Sequence, residues 1–212
     1  MSDDENVLNL RDEEYFPTFD QLPYDNDVSP RYYACRPSDG AYAPIKHWCF
    51  LVEIVEKVKW IRPTFRVKDK NGRELLVMCY FDSDFETPSI WEKRCKQGGV
   101  MAMMYANFHN FMDGQTGIRV EEGGTLTFLP CSLETLLRIG DDLDKPSSNI
   151  CVLCKKPGVL QCARCSSTRY CGKECQVADW KPRHKDECIA IQQVKKWKGK
   201  EWKAFDGKYW IG

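Results

Sequence analysis

Apolar and polar residues alternate with period two through the middle of the chain. In Trp48–Val58, the side chains of Phe50, Val52 and Ile54 fall on one face of an extended segment, the pattern of a half-buried strand. Thr64–Asp69 and Leu75–Phe81 continue it. Between them Lys70-Asn71-Gly72-Arg73 predicts a tight hairpin, because Asn-Gly accepts the positive φ angles of a type I′ turn. Thr87-Pro88-Ser89 opens a short helix from Ser89 to Lys96, stopped at Gly98-Gly99. Val100–Phe108 is the next strand. Asp113–Gly117 turns the chain into Ile118–Glu121, and Leu126–Phe128 is a further short strand. The period then changes to 3.6. Ser132 reads as a helix N-cap, with Leu133, Leu136 and Leu137 on one face and Gly140 as the stop. His184, Cys188, Ile191 and Val194 stand at i, i+4, i+7 and i+10, so a second helical face runs past residue 188.

Three strands, a helix and two strands follow the element order of an OB-fold. Residues 46–140 are therefore expected to form a mainly β, OB-fold-like barrel of order β-β-β-α-β-β with a C-terminal helix. Residues 1–45 precede it as an acidic, aromatic-rich segment holding Tyr15, Phe16, Phe19, Tyr24, Tyr32, Tyr33 and Tyr42. The first ten of these residues are expected to be loose and the rest to drape over the barrel with little regular structure. Residues 141–150 read as a polar linker around Pro146. Residues 151–188 form a small α-rich module, and 189–212 extend its last helix into a tail where lysines alternate with Trp197 and Trp202.

Charge refines this division. The chain is neutral overall, but residues 1–45 carry ten acidic and three basic side chains, and residues 189–212 carry two and six. The two ends should therefore attract each other or a third surface. No run of apolar residues is long enough to cross a membrane. From the acidic start MSDDENVLNLRDEE no secretory or transit signal is expected. The expected location is the nucleus or cytoplasm, where cysteines stay reduced and bind metal instead of forming disulfides. Cys35, Cys49, Cys79, Cys95 and Cys131 lack ligand spacing and read as small buried hydrophobes.

The remaining cysteines carry the chemistry. With His184 they read C-x2-C-x7-C-x2-C-x5-C-x3-C-x8-H-x3-C over residues 151–188. Four sulfur or nitrogen donors complete a tetrahedral zinc, so eight complete two, with no position left for a reacting water. A C-x2-C pair forms a knuckle that aims two sulfurs at one ion. Cys171 with Cys175, and His184 with Cys188, lie one helical turn apart. Two knuckles followed by two short helices are expected.

The run CVLCKKPGVLQCARCSSTRYCGKECQVADWKPRHKDEC resembles a MYND-type zinc finger in all eight ligands, in Tyr170-Cys171, Cys175-Gln176 and Asp179-Trp180, and in the closing His184-Lys185 with Cys188. The resemblance implies interleaved sites. Cys151, Cys154, Cys171 and Cys175 would hold one zinc, and Cys162, Cys165, His184 and Cys188 the other. It also implies a function: MYND-like fingers add a short proline-containing segment of a partner protein, of the form Pro-x-Leu-x-Pro, to a strand edge. The matching positions are Ser167, Thr168, Arg169 and Tyr170 for the strand, and Gln176 and Trp180 for the groove. Ala163 departs from family members that carry a polar residue there.

The expected function is a non-enzymatic, two-zinc adaptor for such proline motifs. The alternative is single-stranded nucleic-acid binding by the barrel, with the finger recruiting proteins. Trp60, Arg62, Phe65, Arg66, Lys68 and Tyr105 would supply stacking and charge, with His109 and Phe111 beside them. No phosphate loop, nucleophile elbow or His-Glu-x-x-His motif occurs, so no enzyme is expected.

Overall fold

A computed structural model describes residues 8–81 and 95–210. The chain divides into two compact units. One joins Met1–Leu10 to Glu134–Lys200, and the other joins Arg11–Leu133 to Glu201–Gly212. The segmentation expected from sequence sets the helix after residue 132 with the barrel, and the final residues apart. Packing groups that helix with the cysteine-rich module and returns residues 201–212 to the β unit.

The β unit begins with a small hairpin, β1 (Tyr33–Cys35) with β2 (Tyr42–Pro44). The strands β3 (Cys49–Val58), β4 (Thr64–Asp69), β5 (Glu74–Cys79), β6 (Val100–Met104), β7 (Phe108–Asn110), β8 (Thr116–Val120) and β9 (Leu126–Leu129) come next. These seven form one sheet in the order β7-β8-β5-β4-β3-β6-β9. All neighbours are antiparallel except β5 and β8. The alternating residues meet in one core: Phe50, Val52, Ile54, Phe65, Val67, Val77, Met101, Met103, Ile118 and Phe128. Every residue of β6 is buried, as a continuous apolar run requires. The helix expected from Ser89 to Lys96 lies outside the described residues apart from its end, Cys95 and Lys96.

Among the described residues the strand ladders do not close into a barrel: β7 and β9 stand at the two ends of the strand order. The expected strand Val100–Phe108 is interrupted at Tyr105, whose φ of 56° is left-handed. A non-glycine residue there breaks the ladder. The first half of the segment pairs with β3 and β9, and the second half, β7, pairs with β8 at the opposite edge. Pro23–Asp25 covers the outer side of β7. The Phe108 N–H donates to the Pro23 carbonyl at 2.7 Å and the Asp25 N–H to the Phe108 carbonyl at 3.1 Å.

The β4–β5 turn also departs from expectation. Gly72 has φ 83°, but Asn71 does not have positive φ, so the turn is not type I′. Asp69 organises it instead. Its carbonyl accepts from Gly72 at 3.0 Å, and its Oδ1 accepts the N–H groups of Asn71 and Arg73, each at 2.9 Å. This is a type I turn closed by a left-handed glycine, the alternative three-residue hairpin. The Oδ2 of Asp69 accepts from the Phe19 N–H at 3.1 Å, tying the N-terminal segment to the turn.

That segment is interior, not drapery. Phe16 and Tyr32 are fully buried, and Phe19, Leu22 and Tyr32 belong to the main core. Leu8 and Leu10 are buried too, so the loose stretch expected over the first ten residues does not extend through them. Rings and backbone hydrogen bonds hold the C-terminal strap of the β unit. Trp202 packs on Phe16 at 4.9 Å between centroids, and Trp210 stacks on His47 at 3.6 Å. The His47 N–H donates to the Trp202 carbonyl at 3.0 Å, and the Phe205 N–H to the Ile45 carbonyl at 3.1 Å.

One glycine is dictated by packing. In β8, a Cβ on Gly117 would lie 2.2 Å from the Leu76 carbonyl oxygen across the parallel pair. Backbone on both sides cannot yield cheaply, so Gly117→Ala is expected to cost about 2–3 kcal/mol. Urea unfolding of the β unit checks this.

In the other unit, α1 spans Leu133–Leu143. Gly140 does not stop this helix as expected. It makes room for Leu10, whose Cδ1 would sit 3.0 Å from an added Cβ.

Candidate metal centre

Two knuckles of identical design open the cysteine-rich module. The Lys155 N–H donates to the Cys151 carbonyl at 3.0 Å, and the Ser166 N–H to the Cys162 carbonyl at 2.9 Å. Lys155 and Ser166, each directly after the second cysteine of a C-x2-C pair, have φ of 65° and 50°. The left-handed residue turns the chain sharply enough to aim both sulfurs inward. A short antiparallel pair, β10 (Leu160–Gln161) and β11 (Arg169–Tyr170), connects the knuckles to the helical part of the module.

A helical run supplies the remaining donors. It comprises α2 (Lys173–Asp179), a π-helical turn over Trp180–His184, and α3 (Lys185–Lys198). Pro182 lies in the π turn and has no N–H to donate, which favours the wider ladder there. The turn changes the phase of the run, so α2 presents Cys175 to one cluster while His184 and Cys188 face another. Beyond Cys188 the apolar face continues as expected: Ala190, Ile191, Val194 and Trp197 are buried.

The eight donors gather into two tetrads, Cys151-Cys154-Cys171-Cys175 and Cys162-Cys165-His184-Cys188, and within each all ligand atoms lie within 4.8 Å of one another. Tetrahedral ligands about 2.3 Å from a zinc stand about 3.8 Å apart. The Sγ atoms of Cys154 and Cys171 are 3.4 Å apart, those of Cys171 and Cys175 3.4 Å, and the Cys165 Sγ lies 3.7 Å from the His184 Nε2. All members of the second tetrad are buried, whereas Cys154 is exposed in the first.

The electrostatics fit a divalent cation. Burial opposes ionisation of Cys151, yet hydrogen bonds from the backbone of Cys154, Cys171 and Leu153 hold its thiol at about 6. Burial likewise opposes ionisation of Cys165, and His184 with the backbone of Thr168 and Ser167 brings it to about 6. Cys175 is pushed up to about 12 by its contact with Cys171 and by burial, and Cys188 to about 12 by burial and then by Cys165 and Cys162. Each tetrad thus favours one thiolate, at Cys151 or Cys165, and opposes another, at Cys175 or Cys188, a conflict that a doubly charged ion removes.

Outer contacts fix the donors. The Thr168 Oγ1 lies 3.4 Å from the His184 Nδ1 and orients the ring, leaving Nε2 for the metal side. Lys195 Nζ donates to the carbonyls of Cys165 and Ser166 at 2.7 and 3.1 Å. A polar chain, buried at Tyr170 and Asp179 and reaching solvent at its arginines, braces the helices. The Tyr170 hydroxyl donates to the Asp179 Oδ2 at 2.8 Å, and the Arg183 Nε to the Asp179 Oδ1 at 2.9 Å. Arg183 also pairs with Glu187, which pairs with Arg138. In the sequence Asp179 stands out only within the MYND resemblance, although Asp179, Arg183 and Glu187 are spaced i, i+4, the signal from which this chain of contacts could have been found.

The residues expected to line a peptide groove have separate fates. Thr168 and Tyr170 are buried and point inward to His184 and Asp179. The Cys162 N–H donates to the Thr168 carbonyl at 2.9 Å, so the next pair, Gln161 and Arg169, turns its backbone groups away from each other. On the β11 side the Arg169 carbonyl accepts from the Val152 N–H at 3.0 Å. On the β10 side, among the described residues, no backbone partner faces Gln161. The open edge is therefore β10, not 167–170. Ser167, Gln176 and Trp180 are half-buried, and the Arg164 guanidinium lies 5.7 Å over the Trp180 ring. Val159, Leu160 and Val177 are exposed apolar residues of the same module.

The residues proposed to bind nucleic acid do not form one surface. Phe65 is 2% exposed and belongs to the core. Tyr105 is half-buried, and its hydroxyl lies 2.7 Å from the His47 Nδ1 and accepts from the Trp210 N–H at 3.0 Å. Arg66 pairs with Glu56 at 2.8 Å, Lys68 is half-buried, and Arg62 lies over the Tyr80 ring at 4.3 Å. Trp60 alone among the aromatics is open, at 66%. His109 pairs with Asp25 and packs on the buried Phe111.

Comparison with known proteins agrees with this geometry. Residues 151–188 match the family model of the MYND finger. The same region is 41% identical over 44 residues to ubiquitin carboxyl-terminal hydrolase 15 of Arabidopsis thaliana and 47% identical over 44 residues to ubiquitin carboxyl-terminal hydrolase 19 of that plant, in each case 21% of this chain. It is 39% identical over 50 residues, 24% of the chain, to programmed cell death protein 2 of Bos taurus. The matches span 5%, 6% and 14% of those proteins, so they concern the finger and not the relatives' other parts. Among solved structures the chain is similar to the Stn1-ten1 complex of S. pombe, with TM-score 0.35, 15% identity and coverage of 61% of this chain and 98% of that one. It is also similar to a replication protein A heterotrimer bound to ssDNA, with TM-score 0.30, 8% identity and coverage of 51% and 80%. Likeness at that level carries no functional argument.

Proposed function

We propose that this protein is a zinc-dependent adaptor, without catalysis of its own, that captures short proline-containing segments of partner proteins in the reducing nucleus or cytoplasm. Cys151, Cys154, Cys171 and Cys175 hold one structural zinc, and Cys162, Cys165, His184 and Cys188 the second. With four protein donors each, the ions supply folding energy and rigidity rather than a reactive water.

One observation carries the docking reading: the backbone of Gln161 in β10 has no partner on its outer side among the described residues. An extended peptide can add there as a further strand, and main-chain hydrogen bonds then give affinity while flanking side chains choose the sequence. Gln176 and Trp180 are the family's groove positions, and both are partly accessible. A proline-bearing ligand suits the site because it is already extended and loses little entropy on binding.

Single-stranded nucleic-acid binding by the β unit has less support, since Phe65 is in the core and the Tyr105 hydroxyl is engaged within the protein. The experiment is a calorimetric titration of the zinc-loaded chain with a Pro-x-Leu-x-Pro peptide. We expect a Kd of about 10⁻⁴ to 10⁻⁶ M. Trp180→Ala should weaken binding by about 1–3 kcal/mol and release no zinc. Tight, salt-steep binding of an oligonucleotide with no peptide binding would reverse the choice.

A further inference from the structure

The β unit carries a groove that the finger's function does not use. It has a volume of about 430 Å³ and is walled by Tyr33, Tyr105 and Tyr209. The rings of Tyr105 and Tyr209 stand 4.9 Å apart at 83°, so they form a corner. The corner is rigid on one side, because the Tyr105 hydroxyl is held by His47 and by the Trp210 N–H. Tyr209 comes from the C-terminal strap and is 57% exposed.

The rim is acidic. Asp25, Glu121 and Glu122 line the groove, against Arg119 as the one permanent cation in the lining. His109 pairs with Asp25, and Arg119 pairs with Glu121 at 2.6 Å while lying 4.5 Å over the Tyr80 ring. Glu122 has no ion-pair partner among the described residues. Aromatic faces present negative charge to a cation, and carboxylates add to it. A phosphate backbone would meet repulsion here, and a neutral apolar group would leave the carboxylates unused.

We propose that this groove binds a cationic side chain, a lysine ammonium or arginine guanidinium, of a partner polypeptide, seated in the Tyr105–Tyr209 corner with Glu122 as its counter-charge. The C-terminal strap then has a purpose beyond packing: it supplies one wall of the site. This inference is independent of the peptide edge on the finger, because every residue it uses belongs to the β unit.

The test is an NMR titration of the full zinc-loaded chain with acetyl-Gly-Lys-Gly-amide, the arginine analogue and the neutral norleucine analogue. Lysine and arginine peptides should shift the Tyr209 and Glu122 amides saturably, with Kd about 10⁻⁴ to 10⁻³ M. Norleucine should bind at least about tenfold more weakly, and Tyr209→Ala or Glu122→Gln should each weaken the cationic peptides about 3- to 10-fold. Both positions are exposed, so neither change threatens the fold. Equal binding of norleucine, binding indifferent to both variants, displacement by oligothymidylate, or no shift at 10 mM peptide (about ten times the weakest expected Kd) would each overturn the proposal. So would shifts at these residues that appear only on self-association.

Discussion

Chelating zinc from the loaded protein is expected to abolish the fold of residues 151–188 while the β unit keeps its secondary structure. Residues 151–188 hold two strands of two residues each, the seven-residue α2, the π turn and only the first turn of α3, with few apolar side chains to hold them together without metal. Many of their buried side chains are the donors themselves, with Cys151, Cys162, Cys165 and Cys188 at or below 2% exposure. Metal binding therefore supplies the folding energy, on the order of 10 kcal/mol per site. Cys165→Ser should be as damaging as chelation locally, because it breaks the fully buried tetrad and strands His184 beside it. The checks are elemental analysis, with two zinc per chain expected, and amide dispersion before and after chelation. A finger that stays dispersed without metal would contradict the assignment.

The second large effect is expected at Asp179. Its carboxylate accepts from the Tyr170 hydroxyl and from the Arg183 guanidinium in a buried setting. Asp179→Ala leaves the hydroxyl without an acceptor and removes one of the two anions facing Arg183. Breaking a buried pair costs more than a surface one, but the Arg183 side chain is 39% exposed, so water offsets part of the loss. The expected destabilisation of the zinc-loaded module is about 2–3 kcal/mol. Asp179→Asn should lose less, since the amide oxygen still accepts from Tyr170. Thermal unfolding of the zinc-loaded variants orders the three proteins, and equal stability of wild type and Asp179→Ala would remove the bracing role.

The features legible in the sequence are those set by local pattern. The sequence pattern over Trp48–Val58, Thr64–Asp69 and Ile118–Glu121 marks strands that the fold retains as Cys49–Val58, Thr64–Asp69 and Thr116–Val120, because period two commits a segment to one buried face. Cysteine spacing marks the two knuckles for the same reason, since a C-x2-C turn is a local object; their interleaving with the helical donors into two tetrads is implied only by the resemblance to a MYND finger. Long-range features are the ones that sequence does not announce. The left-handed Tyr105 that divides the expected strand into β6 and β7 has no glycine to signal it. The role of Gly140 depends on Leu10, more than a hundred residues away. Asp69 overrides the Asn-Gly preference by accepting three backbone N–H groups, one of them from Phe19. The unpaired strand edge lies at β10 and not at 167–170 because Val152 occupies the outer side of Arg169, a contact that ligand spacing cannot convey.

The central claim is that a partner segment adds to the free edge of β10, and backbone hydrogen exchange of the zinc-loaded protein tests it most directly. Adding a saturating Pro-x-Leu-x-Pro peptide should slow exchange of the Gln161 amide by at least about tenfold, as a new ladder bond closes it, and leave the Cys162 amide, already bonded to Thr168, unchanged. A Gln161 amide that exchanges at the same rate with bound peptide would contradict the account.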